Sequence, residues 1–130
     1  MRDEPDATVA GVVLIVGVLA LLGAAAAAVQ TPARTYWPVT VEQVATTMHT
    51  HVKVTGRVRL VRKEADGDTH IKLTGVTGYL VAECIPALPC ALPTVGQRIT
   101  VYGISRIDKE HGWAEVHPTE RWEPATLGRP

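Results

Sequence analysis

Most of the residues able to do chemistry fall in three polar clusters. The first is Asp66-Gly67-Asp68-Thr69-His70, the second is Glu83, and the third runs from Asp108 through Lys109, Glu110, His111, Gly112, Trp113, Ala114, Glu115 and Val116 to His117 and Pro118. Neutral imidazoles combined with carboxylates make a nitrogen and oxygen donor set that suits zinc or another divalent ion. Side chains alternate along a strand, so Trp113, Glu115 and His117 share a face opposite Ala114 and Val116. His70 falls with Lys72 on the non-core side of its own strand. Where those strands adjoin, His70, Glu83, Glu115 and His117 meet at one rim, and these four are the candidate divalent-metal ligands. The competing reading is structural. Asp66-Gly67 is a good turn pair whatever the chemistry, and the histidines would then be hydrogen-bonded rim residues. The chain carries no HExxH, no CxxC pair and no EF-hand loop. His49 and His51 form a further pair, read as solvated.

A second constellation is cationic. Lys53, Arg57 and Arg59 line one side of a strand, and Tyr79 and Trp113 offer stacking surfaces. Together they make a candidate ligand-binding face of the kind that holds single-stranded nucleic acid. Two facts weigh against it. Glu83 and Glu115 are read as lying on the same faces, and a charged row on an exposed strand is ordinarily just solvated. Cys84 and Cys90 bracket CIPALPC and are a candidate disulfide, which suits an oxidising compartment; two buried thiols are the alternative. No nucleophile with a neighbouring base can be argued from spacing, so an enzyme is not the expected reading.

Five short strands must position these groups. Residues 51–61, HVKVTGRVRLV, alternate cleanly, with Val52, Val54, Val58 and Leu60 on one side and Lys53, Thr55, Arg57 and Arg59 on the other. Gly56 inside that run predicts a bulge or sharp bend. An Asp-Gly turn leads to the second strand, 70–74, with Ile71 and Leu73 inward. The third strand is 79–84, and a proline-rich loop follows it. The fourth is 98–105 and the fifth 113–117, after which the chain is read as irregular from Pro118 on. A segment at 41–48 has room for a helical turn or two. Five strands, a glycine bend in the long first strand and a long third-to-fourth connection predict an all-β fold: a five-stranded barrel like the oligonucleotide/oligosaccharide-binding (OB) fold. That connection often carries a helix, but here it is too rich in proline.

The barrel is preceded by an apolar segment. Residues 7–30 read ATVAGVVLIVGVLALLGAAAAAVQ and contain no charge. A helix rises about 1.5 Å per residue, so roughly 20 residues cross a hydrocarbon core of about 30 Å. The expected organisation is therefore a tail at 1–6, a transmembrane helix at 7–30, a proline-bearing linker at 31–40, the barrel at 41–123 and a tail at 124–130. The first six residues, MRDEPD, hold three acids and one Arg, which favours a retained anchor over a cleaved signal. Tyr36 and Trp37 follow the apolar segment, where interfacial aromatics prefer headgroup level. With the cysteines, these features predict a single-pass protein of a bacterial cell membrane with its barrel outside the cytoplasm. Abundant Ala, Val and Arg fit a GC-rich bacterial genome. Between residues 36 and 123 the ten Lys and Arg balance ten Asp and Glu. That balance argues against strong nonspecific attraction to nucleic acid or anionic lipid.

The series DGDTH, VAECIP, VGQRITVYG and HGWAEVHP, over about residues 51–118, resembles a group of uncharacterised bacterial OB-fold proteins with a DGDxH turn and a Trp-acid-His-Pro ending. That resemblance implies the fold more than an activity. The anchor, proline-bearing connector and barrel are also similar to the periplasmic haem chaperone of cytochrome c maturation. That likeness implies haem attachment through a His in an H-x-x-x-Y tail; here the matching His is His117, followed four residues on by Arg121 in place of Tyr. The turn Asp66-Gly67-Asp68-Thr69 further resembles the DGDT turn of staphylococcal-type nucleases, without that family's arginine-bearing strand or Asp-Thr-Pro-Glu turn. The expected function is a membrane-anchored binding or interaction module for a protein or small ligand. The alternatives are a metal-binding or haem-handling protein and a single-stranded nucleic-acid binder.

Overall fold

The computed structural model describes residues 33–126. The apolar segment at 7–30 lies outside the described residues, and among these no helix is long and apolar enough to cross a membrane.

Six strands form one sheet: β1 (Trp37–Val39), β2 (His51–Lys63), β3 (Thr69–Thr74), β4 (Tyr79–Cys84), β5 (Arg98–Asp108) and β6 (Trp113–Pro124). The order is β1-β2-β3-β4-β6-β5, and β2 also pairs with β5. That last pairing closes β2 to β6 into a five-stranded barrel. All barrel pairings are antiparallel except β4 with β6. This is the Greek-key arrangement of an OB-like fold. The extra strand β1 runs parallel along β2 and comes from the stretch read as linker.

Alternation accounts for the core. Val52, Val54 and Val58 of β2, Ile71 and Leu73 of β3, Leu80 and Ala82 of β4, Ile99 and Val101 of β5 and Val116 of β6 all point inward and are fully buried. A 3₁₀ helix, Val41–Thr46, adds Val41 and Val44 to this core and touches β2, β4, β5 and β6. Its start is held by a capping box between Thr40 and Gln43. A helix does therefore complete the core, but it precedes the barrel. The proline-rich connection between β4 and β5 is instead held by the Cys84–Cys90 disulfide and by the Trp122 indole, which donates to the Ala91 carbonyl at 2.6 Å.

The strands depart from the sequence expectation at three places. Leu60 does not join the core and is 44% exposed. The β2–β3 register shifts between Val58 and Leu60, so the extra residue reverses the alternation and Val61 packs inward instead. The irregularity thus falls after Gly56, whose own role is a close approach. A Cβ there would lie 3.0 Å from the Thr74 carbonyl oxygen and 3.2 Å from Val41 Cγ2. At the next residue β2 passes from pairing β5 to pairing β3, since Arg57 faces both Arg98 and Thr74. Finally, the chain beyond Pro118 is not irregular. Pro118 has no N–H to give a ladder, and it falls in a register shift where Gly103 pairs with Thr119 and Ser105 with Val116. Beyond it β6 resumes against β5 as far as Pro124.

Tyr36 folds back onto the barrel. Its hydroxyl donates to Glu120, where Arg34 Nη1 (2.6 Å) and His51 Nε2 (3.4 Å) also converge, and its ring meets Tyr102 edge-on at 5.1 Å. Trp37 is exposed.

Candidate functional site

Two walls of the barrel carry the ionisable groups, and each follows from strand parity. On β3, β4 and β6 the residues opposite the core are His70 and Lys72, Tyr79, Val81 and Glu83, and Trp113, Glu115 and His117. Register sets His70 beside Glu83 and Val81 beside Glu115. All four candidate metal ligands therefore lie on one wall, as parity implies, but they divide into two groups.

Glu115 belongs to the first. Although on the outer side of the barrel, it is fully buried. Its Oε2 accepts from Arg106 Nε at 2.7 Å and its Oε1 accepts from Trp113 Nε1 at 2.8 Å. Arg106 is its cross-strand neighbour on β5. Glu115 is thus occupied by protein donors. Trp113 in turn stacks on His111, with ring centroids 4.4 Å apart, and His111 is hydrogen-bonded to Asp108. That bond holds the Asp108 carboxyl down at about 2 and raises the His111 imidazole.

The second group surrounds Glu83, which is 8% exposed. Asp68, Glu83 and His117 bring their ligand atoms within 4.8 Å of one another. His70 Nε2 stands 3.7 Å from Glu83 Oε1, and His117 Nε2 stands 3.9 Å from the same oxygen. Arg106 Nη2 comes no closer to Glu83 than 3.9 Å. Burial, a hydrogen bond shared with Asp68 and the negative charges of Glu115 and Asp68 push the Glu83 carboxyl up to about 8, against Arg106. Burial and Arg106 lower the His117 imidazole. At neutral pH the cluster therefore holds Glu83 protonated and hydrogen-bonded to Asp68, beside the uncharged His117 imidazole. Asp68 is not among the four sequence candidates because Asp66-Gly67-Asp68 reads as a turn. Its position two before His70, on the same parity, was the signal.

The second wall is made by β2 and β5. Lys53 pairs with Tyr102, Thr55 with Thr100 and Arg57 with Arg98, all on the outer side. With Arg59 they line a groove of about 710 Å³. The groove also contains two acids, and both are already engaged. Glu42 accepts from the Thr77 and Gly78 backbone N–H groups, which lower its carboxyl. Glu123 accepts from the Tyr102 hydroxyl at 2.5 Å and from Arg121 Nη1 at 3.2 Å. The Arg121 guanidinium lies 3.5 Å over the Tyr102 ring. Lys53, Arg57 and Arg59 are thus brought together, and Arg98 joins them. Tyr79 and Trp113 are not with them. Both lie on the other wall, where Lys72 Nζ sits 4.1 Å over the Tyr79 ring. Glu83 and Glu115 lie there too, not among the β2 cations.

No family model and no curated protein matches the chain. Solved structures do. Asparaginyl-tRNA synthetase from Pyrococcus horikoshii superposes with a TM-score of 0.56 at 19% identity, covering 71% of this chain and 24% of that one. Its complex with asparaginyl-adenylate gives 0.55 at 18% identity, over 77% of this chain and 24% of that one. A putative aspartyl-tRNA synthetase from Leishmania major Friedlin gives 0.52 at 13% identity, over 86% and 27%. The chain spans about a quarter of these proteins' length, and at such identity the likeness shows the fold alone.

Proposed function

We propose that this protein is a membrane-anchored OB-fold binding module that takes a polyanionic ligand, such as a single-stranded nucleic acid, in the groove between β2 and β5. The observation that carries the reading is the set Lys53, Arg57, Arg59 and Arg98 in one groove, four cations against the carboxylates of Glu42 and Glu123. Zero net charge over the chain does not weaken it, because field strength at a surface depends on local arrangement. The wall of β3 and β4, which OB folds often use, fits phosphate less well, since Asp68 lies there and Arg106 is already held by Glu115. That the structural neighbours are enzymes acting with tRNA is compatible with a nucleic-acid ligand. The charge-free segment 7–30 supports the anchor, and the Cys84–Cys90 disulfide supports a barrel outside the cytoplasm.

The test is fluorescence anisotropy of a labelled single-stranded oligonucleotide with the full chain in nonionic detergent. Binding should be saturable at low salt. Four phosphate contacts give a slope of log affinity against log salt of about −3 for a single strand. Replacing two cations, Lys53→Gln with Arg98→Gln, should reduce that slope by about 1.4. No binding at low salt, or an unchanged slope in the double variant, would rule the groove out. Alkaline extraction of membranes checks the anchor: the chain should stay in the pellet.

A further inference from the structure

The geometry points to a transition-metal site on the opposite wall, in which Asp68, Glu83 and His117 bind one divalent ion of the zinc class and His70 is the fourth ligand. Three different segments supply the first three groups: the turn before β3, the end of β4 and the register shift of β6. Their ligand atoms lie within 4.8 Å of one another. Zinc bonds of about 2.1 Å in a tetrahedron put ligand atoms about 3.4 Å apart, so modest side-chain rotation closes the site. His70 Nε2 stands 3.7 Å from Glu83 but outside that group of three, so its ring must swing inward to complete the set.

Two further observations point to an ion rather than to a polar rim. Glu83 is nine-tenths buried and shares a hydrogen bond with Asp68, while its nearest side-chain nitrogens stand at 3.7–3.9 Å and Arg106 bonds Glu115 instead. His70 also contacts the Glu64 carboxylate through its other ring nitrogen, Nδ1, at 3.2 Å. A carboxylate behind an imidazole aims the free nitrogen and raises its basicity, which is the usual support of a metal-bound histidine. The donor set contains two oxygens and two nitrogens. No thiolate takes part, since Cys84 is bonded to Cys90. Such a set selects zinc-class ions over calcium and magnesium, which require mostly oxygen ligands.

The experiment is calorimetric titration of chelator-treated full-length protein in nonionic detergent, with zinc chloride and then magnesium chloride. The expected result is one zinc per chain, no comparable magnesium binding and a thermal unfolding midpoint that rises with zinc. Asp68→Ala and His117→Ala should each weaken zinc by at least about tenfold, and Glu64→Gln, acting only through His70, by about tenfold. His111→Ala, which alters an exposed histidine outside the cluster, should leave affinity unchanged. Should a ligand variant fail to fold, the cobalt-loaded wild-type protein decides, because its visible spectrum reports nitrogen and oxygen ligands in a four-coordinate site. Absence of stoichiometric zinc, equal binding of magnesium, a six-coordinate cobalt spectrum, or full affinity in folded His117→Ala would each overturn the assignment.

Discussion

Arg106→Met is expected to destabilise the protein by about 3–5 kcal/mol, and a second change, Glu115→Leu, is expected to restore most of that loss. Glu115 is fully buried, and among the described residues its carboxylate has two donors, Arg106 at 2.7 Å and the Trp113 indole at 2.8 Å. Removing the guanidinium leaves the charge in a low-dielectric site with one neutral hydrogen bond. The cost is that of an uncompensated ion rather than of the lost contact. A domain of this size has only about 5–15 kcal/mol of stability, so the single variant should unfold at much lower urea concentration. Urea titration followed by tryptophan fluorescence measures both variants. A single variant within about 1 kcal/mol of wild type would show that the pair is screened like a surface ion pair.

The double variant asks a different question. A buried carboxylate held by a part-exposed guanidinium is not an economical way to hold strands together, because apolar residues of similar volume often do so equally well. Recovery in the double variant would mean that the ion pair serves the wall's electrostatics. Arg106 stands 3.9 Å from Glu83 and lowers the His117 imidazole. It therefore links the ion pair to the neighbouring cluster.

Parity made much of this wall legible. Odd-numbered positions on β6 and the alternation of β3 and β4 put His70, Glu83, Glu115 and His117 on outward faces, and a short turn made β3 and β4 neighbours, whereas β6 joins β4 only through a long-range parallel pairing. Parity does not say where around a closed barrel an outward residue points. Lys53 and Trp113 are both outward, yet closure through β2 and β5 carries Lys53 to another wall. That closure pairs His51 with Ile104 and Arg57 with Arg98, contacts far apart in sequence that no local pattern specifies. The same limit hid the charge balance. Equal numbers of acids and bases read as mutual cancellation, whereas folding separates Lys53, Arg57, Arg59 and Arg98 from Glu83 and Glu115. Two local signals were also misread. The reversal at Arg59 is invisible in a run that alternates on both sides of it, and Pro118 marks an interruption within β6 where it reads as an end.

Glu83→Gln should make the metal-free protein more stable than wild type, by a margin that widens by about 2 kcal/mol between pH 6.5 and pH 8. The Glu83 carboxyl is pushed up to about 8 in the fold, mainly by burial and then by its hydrogen bond to Asp68. Above its unfolded value of about 4.3 the folded state therefore holds a proton that the unfolded chain has released. Stability must fall as pH rises through that interval and level off above about pH 8. His117 acts in the opposite sense. Its lowered imidazole is neutral in the fold, so it contributes stability above about pH 6.5 that is lost as pH falls. The two slopes oppose each other below about pH 6.5, which leaves about 1.5 units in which Glu83 dominates, at about 1.4 kcal/mol per unit. His111, raised by Asp108, loses stability in the same direction, but it is exposed and is retained in the variant. Glutamine keeps the size of the side chain and can donate to Asp68 as the protonated acid does, without a proton to lose. Urea titrations across pH 6–9 in chelator should show a falling wild-type curve and a much flatter Glu83→Gln curve, with a gap that grows by about 2 kcal/mol between pH 6.5 and pH 8. Parallel curves would mean that Glu83 is ionised beside Asp68 at neutral pH, with its charge compensated by Arg106 and the two histidines.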